Sequence, residues 1–121
     1  MRKTFSLISV VVLASLLLAG VAFAATVKIG LMAPITGAFA SEGQDMKKLV
    51  ELMVEETNKS GGINGAKVEL IVEDDGSTPR SAATAASRLV SKGVPVAIGT
   101  YGSAVTEASQ DIYDEAGIVQ I

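Results

Sequence analysis

The feature that most constrains this chain is an alternation. Short apolar runs bounded by turn residues take turns with stretches whose apolar residues recur at helical spacing. Val27 to Met32, Lys67 to Glu73 and Val94 to Gly99 are the runs, and a further one opens near Gln120-Ile121. Strand, helix, strand, helix, strand, helix, strand is the order this implies. Such an order calls for right-handed crossovers and a parallel, doubly wound α/β sheet flanked by helices.

The helical stretches carry their own start and stop signals. Met46, Leu49, Val50, Met53 and Val54 form an i, i+3, i+4, i+7, i+8 stripe, expected to be buried. Ser41 and Gln44 have the spacing of a capping box ahead of it. Thr78-Pro79 opens the second helix, with proline where no N–H bond is lost. Its inner face is Ala82, Ala86, Leu89 and Val90, small enough for close approach to a sheet, and Gly93 ends it. In the third helix Ser103 stands at the expected N-cap, Val105, Ala108, Ile112 and Ala116 form the inner face, and Gly117 ends it. Between strands, Gly61-Gly62 and Asn64-Gly65 read as turns. Asn58-Lys59-Ser60 has the spacing of a glycosylation acceptor and carries little weight.

The first 24 residues differ from the rest. Arg2 and Lys3 precede a long apolar run that ends in Ala22-Phe23-Ala24. This is the three-part pattern of a secretory signal peptide, with cleavage expected after Ala24. An uncleaved anchor is the competing reading, because Phe5 to Ala25 approaches the ~20 residues that span a bilayer. Ser9, Ser15 and Gly20 dilute that run, and no cysteine follows it to accept a lipid. The domain organisation is therefore 1–24 as signal peptide and 25–121 as the exported part. The chain ends inside an apparent strand at Ile121, which reads as the N-terminal portion of a longer protein.

Composition narrows the chemistry. There is no cysteine and no histidine, so thiol catalysis, disulfides and the usual zinc sites are excluded. No cofactor and no metal site is expected. Beyond residue 24 the chain carries 8 basic and 13 acidic residues, net −5. Nothing basic is clustered, which argues against nucleic acid as a partner. Gly99-Thr100-Tyr101-Gly102-Ser103 is no dinucleotide fingerprint, and Gly37 to Gly43 lacks the ending of a P-loop. Glu73-Asp74-Asp75 could hold a hard cation, although Asp74 and Asp75 more readily bond their own turn.

Doubly wound sheets bind ligands outside the carboxyl ends of their strands, where the winding reverses. A strand order beginning 2-1-3 would bring the loop Ala33 to Gly43 beside the turn Thr100 to Ser103. There Tyr101 offers a ring and a hydroxyl, Gly102 a close backbone approach, and Ser103 a hydroxyl and an amide at a helix N-terminus suited to a carboxylate. A purely structural role stands beside this: Ser103 capping its helix and Tyr101 packing.

Four segments together resemble the leucine/isoleucine/valine-binding family of periplasmic solute-binding proteins. They are VKIGLMAPITGAFASEGQDM, NKSGGINGAKVELIVEDDGSTP, IGTYGSAVTEAS and DIYDEAGI, in that order within Thr26 to Ile121. The resemblance implies part of the first lobe of a two-lobed type I periplasmic binding protein. It implies transport without catalysis: capture of an amino acid or similar small acid in the periplasm and delivery to an inner-membrane ABC permease. A ligand-sensing receptor domain is the alternative on the same fold. Carried over residue by residue, Ser103 matches the serine that holds the ligand carboxylate, Gly102 lies beside it, and Tyr101 lines the pocket. Glu42 falls where family members place a residue, often aromatic, against the ligand side chain. An acid there departs from the pattern for aliphatic amino acids.

Overall fold

The computed structural model describes residues 26–121. The signal-peptide reading of 1–24, with its cleavage after Ala24, lies outside the described residues. Four strands and three helices alternate: β1 (Thr26–Ala33), α1 (Ala40–Lys59), β2 (Lys67–Asp74), α2 (Pro79–Ser91), β3 (Val96–Ile98), α3 (Ser103–Glu115) and β4 (Val119–Gln120). The strands form one parallel sheet in the order β2-β1-β3-β4. β1 and β2 pair along their whole length, from Thr26 opposite Lys67 to Ala33 opposite Asp74. On the other side of β1, Gly30 and Leu31 face Ala97 and Ile98. The expected 2-1-3 arrangement is present, and it reverses direction at β1.

Strand side chains alternate between the two faces of the sheet. Met32 and Ala97 belong to the core under α2 and α3, with Ala82, Ala85, Ala86, Leu89, Val105 and Tyr113. Five of these are alanines or valines, and the small side chains let both helices lie close to the sheet and to each other. Tyr113 is the largest residue there. It is buried and its hydroxyl donates to the Met32 sulfur at 3.7 Å. The sequence stripe for α3 did not include it, and Ala116, which the stripe did include, is exposed.

The local signals hold in most places. Thr78 caps α2, its hydroxyl accepting from the Ser81 amide at 3.2 Å. Asn64 and Gly65 both take positive φ, and Ile63 and Ala66 bond reciprocally across the turn. Asn58 serves a use that the glycosylation pattern did not suggest. Its side-chain amide donates to the Val68 carbonyl and accepts from the Val68 amide, at 2.9 and 2.7 Å. The last turn of α1 is thereby pinned to the start of β2.

Two expectations for α1 fail. The Ser41–Gln44 capping box is absent: the helix starts at Ala40, Phe39 is its N-cap, and no side chain caps it. Gln44 turns instead to the Ile35 carbonyl. The reason is that Gly43 seats the first turn on the loop, where a Cβ would come within 2.1 Å of the Pro34 carbonyl oxygen. The stripe is also only partly buried. Met46, Val50 and Val54 are half-buried on the sheet, whereas Leu49 and Met53 are exposed, joined by Leu52. α1 packs chiefly on β1 and β2, and Leu49, Leu52 and Met53 stay exposed on the helix.

Gly43→Ala should lower stability by about 2 kcal/mol or more, because the obstacle is backbone and cannot swing aside. Urea unfolding of the two chains checks this, and an unchanged midpoint would show that α1 is not seated on Pro34.

Candidate functional site

Reversal of the strand order at β1 places two connections side by side at the carboxyl edge of the sheet. One runs from Pro34 to Phe39 into α1, the other from Gly99 to Gly102 into α3. A third, from Asp75 to Thr78, flanks the first. Each ends at a helix N-terminus, so unpaired N–H groups and positive dipole ends gather there.

At the third helix the structure corrects the sequence. Gly102 is the N-cap, Ser103 is the first helical residue, and no side chain caps the helix. Gly102 has φ +111, a conformation that L side chains rarely adopt. The turn is braced from inside. The hydroxyls of Thr100 and Thr106 lie 2.6 Å apart and reach the Gly102 carbonyl oxygen at 3.3 and 3.2 Å. With those two threonines holding the turn, the Ser103 hydroxyl is exposed and has no hydrogen-bond partner among the described residues. The Ser103 and Ala104 amides lie ahead of the first helical bonds, which the Val105 and Thr106 amides make to Gly102.

The first loop is strapped to the second. Asp74 accepts from the Thr36 hydroxyl at 2.5 Å, the Thr36 amide at 3.1 Å and the Gly76 amide at 2.8 Å. Ser77 lies at φ +60, an unusual conformation for a residue other than glycine. Its hydroxyl accepts from the Phe39 amide at 3.2 Å and donates to the Thr36 carbonyl at 3.3 Å. The Ser77 amide in turn donates to Asp75 at 2.9 Å. Asp74 and Asp75 are therefore the turn carboxylates that their position after a strand suggested. Their grip on a loop nearly forty residues away left no mark in the sequence.

Phe39 was missed as well. Its ring meets that of Tyr101 with centroids 5.3 Å apart and planes at 56°, joining the first loop to the turn before α3. Both rings stay about 40% exposed (44% and 41%), too open to count as core. A signal for it existed: beyond residue 24 the chain has only three aromatic residues, Phe39, Tyr101 and Tyr113. Glu42 sits in the first turn of α1, exposed, with no ion pair or hydrogen bond among the described residues. Thus Tyr101, Gly102 and Ser103 form one turn, Phe39 ties Tyr101 to the other loop, and Glu42 stands three residues along the helix from Phe39.

Two neighbouring carboxylates titrate in opposite directions. Burial pushes Asp74 up, but the Thr36 hydroxyl and the amides of Gly76, Thr36 and Ile35 outweigh it, and its pKa is lowered. Burial also pushes Asp75 up. The Ser77 amide opposes this only in part and the charge of Asp74 adds to it, so its pKa is raised. One Asp75 oxygen is buried with no hydrogen-bond partner among the described residues. Burial, with the negative charge of Asp75 and Glu73, pushes the Tyr113 hydroxyl up to about 12. Glu73 is itself buried and is met by Arg88 and Lys92 from α2.

A doubly wound α/β lobe with its open edge at the carboxyl ends of the strands belongs to the class of proteins that hold small ligands there. The family is narrower. Residues 26–121 match the family model described as periplasmic binding protein, and the chain belongs to that family of solute-binding proteins. It is 39% identical over 97 residues to the leucine-, isoleucine-, valine-, threonine- and alanine-binding protein of Pseudomonas aeruginosa, covering 79% of this chain and 26% of that one. It is 37% identical over 121 residues to Leu/Ile/Val-binding protein homolog 1 of Brucella abortus, covering 100% and 32%. Among solved structures, the branched-chain amino acid binding protein LivJ of Streptococcus pneumoniae, in complex with isoleucine, superposes with a TM-score of 0.76 at 31% identity. That match covers 78% of this chain and 28% of the other. A leucine complex of a substrate-binding protein from Desulfitobacterium hafniense gives 0.68 at 30% identity, covering 78% and 28%. The chain thus spans about a quarter to a third of the length of these relatives.

The raised pKa of Asp75 means that its charged form subtracts stability above the carboxylate range, and that this loss fades as pH falls through its folded pKa. Asp74 has the reverse sign: its stabilisation is present above its unfolded pKa and is lost as pH falls through the folded one. Asp75→Asn keeps an oxygen for the Ser77 amide and removes the buried charge. Its urea midpoint should equal or exceed the parent's at about pH 7, with the gap narrowing at about pH 4. A midpoint depressed more at neutral than at acid pH would contradict the assignment.

Proposed function

We propose that this chain supplies the opening part of the first lobe of an exported solute-binding protein, one that captures an amino acid or similar small carboxylate for an inner-membrane ABC permease. The observation that carries the reading is the turn before α3. Its serine hydroxyl is uncommitted, its first two amides precede the helical bonds, and it lies at the edge where the winding reverses. A carboxylate at this point meets hydrogen-bond donors and a positive helix end together. In this assignment Ser103 and its amide hold the carboxylate and Gly102 lets the backbone come close. Tyr101 and Glu42 face the remainder of the ligand.

The relatives support the ligand class, since amino acids appear in their names and in their complexes. Capture of this kind needs no covalent step, and the chain has neither cysteine nor histidine to act as nucleophile or base. Residues 1–24 act as the signal peptide, and cleavage after Ala24 leaves 25–121 in the periplasm. Delivery to the permease completes the cycle.

Titration of the chain with L-isoleucine, followed through the amide signals of Ser103 and Ala104 by NMR, tests the capture step. Ser103→Ala should weaken binding about tenfold, the loss expected for one hydrogen bond to a charged group. If those amides do not respond to any amino acid or to acetate, the carboxylate assignment is wrong. Sequencing the N-terminus of the chain recovered from the periplasm of an expressing bacterium should find Ala25 first; a chain that stays in the membrane and begins at Met1 would instead fit the anchor.

A further inference from the structure

We propose that the site selects ligands bearing a flat cation at the end remote from the carboxylate, a guanidinium or amidinium group, held between the Phe39–Tyr101 ring pair and the carboxylate of Glu42. The inference rests on the capture reading above and adds the substrate class to it. It begins with what Ser77 does. Phe39 is the N-cap of α1 and Glu42 its third residue. A glutamate at that position commonly folds back to bond the N-cap amide, which would spend its charge on the helix. Here the Ser77 hydroxyl already occupies the Phe39 amide. Glu42 is left exposed and uncommitted among the described residues, in the turn that carries the Phe39 ring.

The strap that frees Glu42 also fixes the rings. Ser77 is held at φ +60 by its bond to the buried Asp75, and Thr36 is clamped by Asp74. Strained backbone held in place by its surroundings clusters at functional sites. The strap holds the backbone of Phe39, and the Phe39 ring meets that of Tyr101. Two of the three aromatic residues beyond the leader segment are spent at this edge, both partly open to solvent. An aromatic face attracts a cation through its ring quadrupole and a carboxylate attracts it through charge, so a site offering both favours a cation twice over. A guanidinium adds a planar shape that stacks on a ring and a donor fork that meets a carboxylate. An aliphatic side chain at the same point would lie against a charged group and strip its water, at a cost. Tyr101 is two residues from Ser103 in the same turn, and its ring meets that of Phe39.

L-arginine, its neutral isostere L-citrulline, and L-leucine, each titrated against the chain with the Ser103 and Ala104 amides as readout, decide the matter. L-arginine should bind about fivefold or more tightly than the other two. Glu42→Gln should bring L-arginine down to the affinity of L-citrulline, and Phe39→Leu should weaken L-arginine as well. Glu55→Gln removes the same charge from a distant, lysine-paired position and should leave the ratio alone. Equal affinities for L-arginine and L-citrulline, a preference for L-leucine, or an unchanged ratio in Glu42→Gln would overturn the proposal while the capture reading stands. Silence of both amides toward all three ligands and toward acetate would overturn the capture reading and this one with it.

Discussion

Everything at the carboxyl edge depends on β1 being paired on both sides. β2 binds one side of it over eight residues and β3 the other over two, so β1 is the strand about which the winding turns. A parallel sheet wound in both directions from one strand leaves a gap between the connections that depart to opposite faces, and no helix can fill that gap. α1 leaves over one face and α3 over the other, so the edge between them is open by topology. Tyr101, Gly102 and Ser103 stand on one side of the opening and Phe39 and Glu42 on the other.

Hydrogen bonding then decides how rigid the opening is. The loop from Pro34 to Phe39 is anchored by the buried Pro34, and polar contacts to Thr36 and Phe39 hold the rest of it. Asp74 accepts three donors from two loops, which is why it remains ionised despite partial burial. Asp75, one residue on, is buried with an oxygen unpaired among the described residues, and its pKa moves the other way. One carboxylate stabilises the edge through its charge, and its neighbour costs stability in holding Ser77 where the strap requires it.

Coverage of the sheet is uneven. The face under α2 and α3 holds a close-packed core, with Leu89 and Ala86 fully buried. On the other face α1 lies mainly over β1 and β2. An apolar groove of about 120 Å³ runs along it, lined by Ile29, Val50, Met53, Val54 and Ile98 among others. Leu49, Leu52 and Met53 continue that apolar surface over the helix, about half exposed each.

Signals that act within a few residues were readable. Thr78-Pro79 as a cap, Asn64-Gly65 as a reversal and the small inner face of α2 all express local sterics or a single helical turn. The alternation of runs and stripes determined the α/β class and the parallel order, because a parallel strand can be reached only through a crossover. Ser103 was recognised as belonging to the edge but misplaced as a cap. The residue that caps is set by the positive φ of Gly102 and by the bracing of Thr100 and Thr106, neither of which shows as a pattern. Leu49 and Met53 carried helical spacing without a partner to bury them. The links from Thr36 to Asp74, Phe39 to Ser77 and Phe39 to Tyr101 cross from thirty-eight to sixty-two positions of chain. The sequence by itself determined which elements form and which edge stays open, since those follow from short-range periodicity. Only the tertiary structure decided which side chains at that edge are spent on holding it and which are left free, because that depends on contacts between loops that meet after folding.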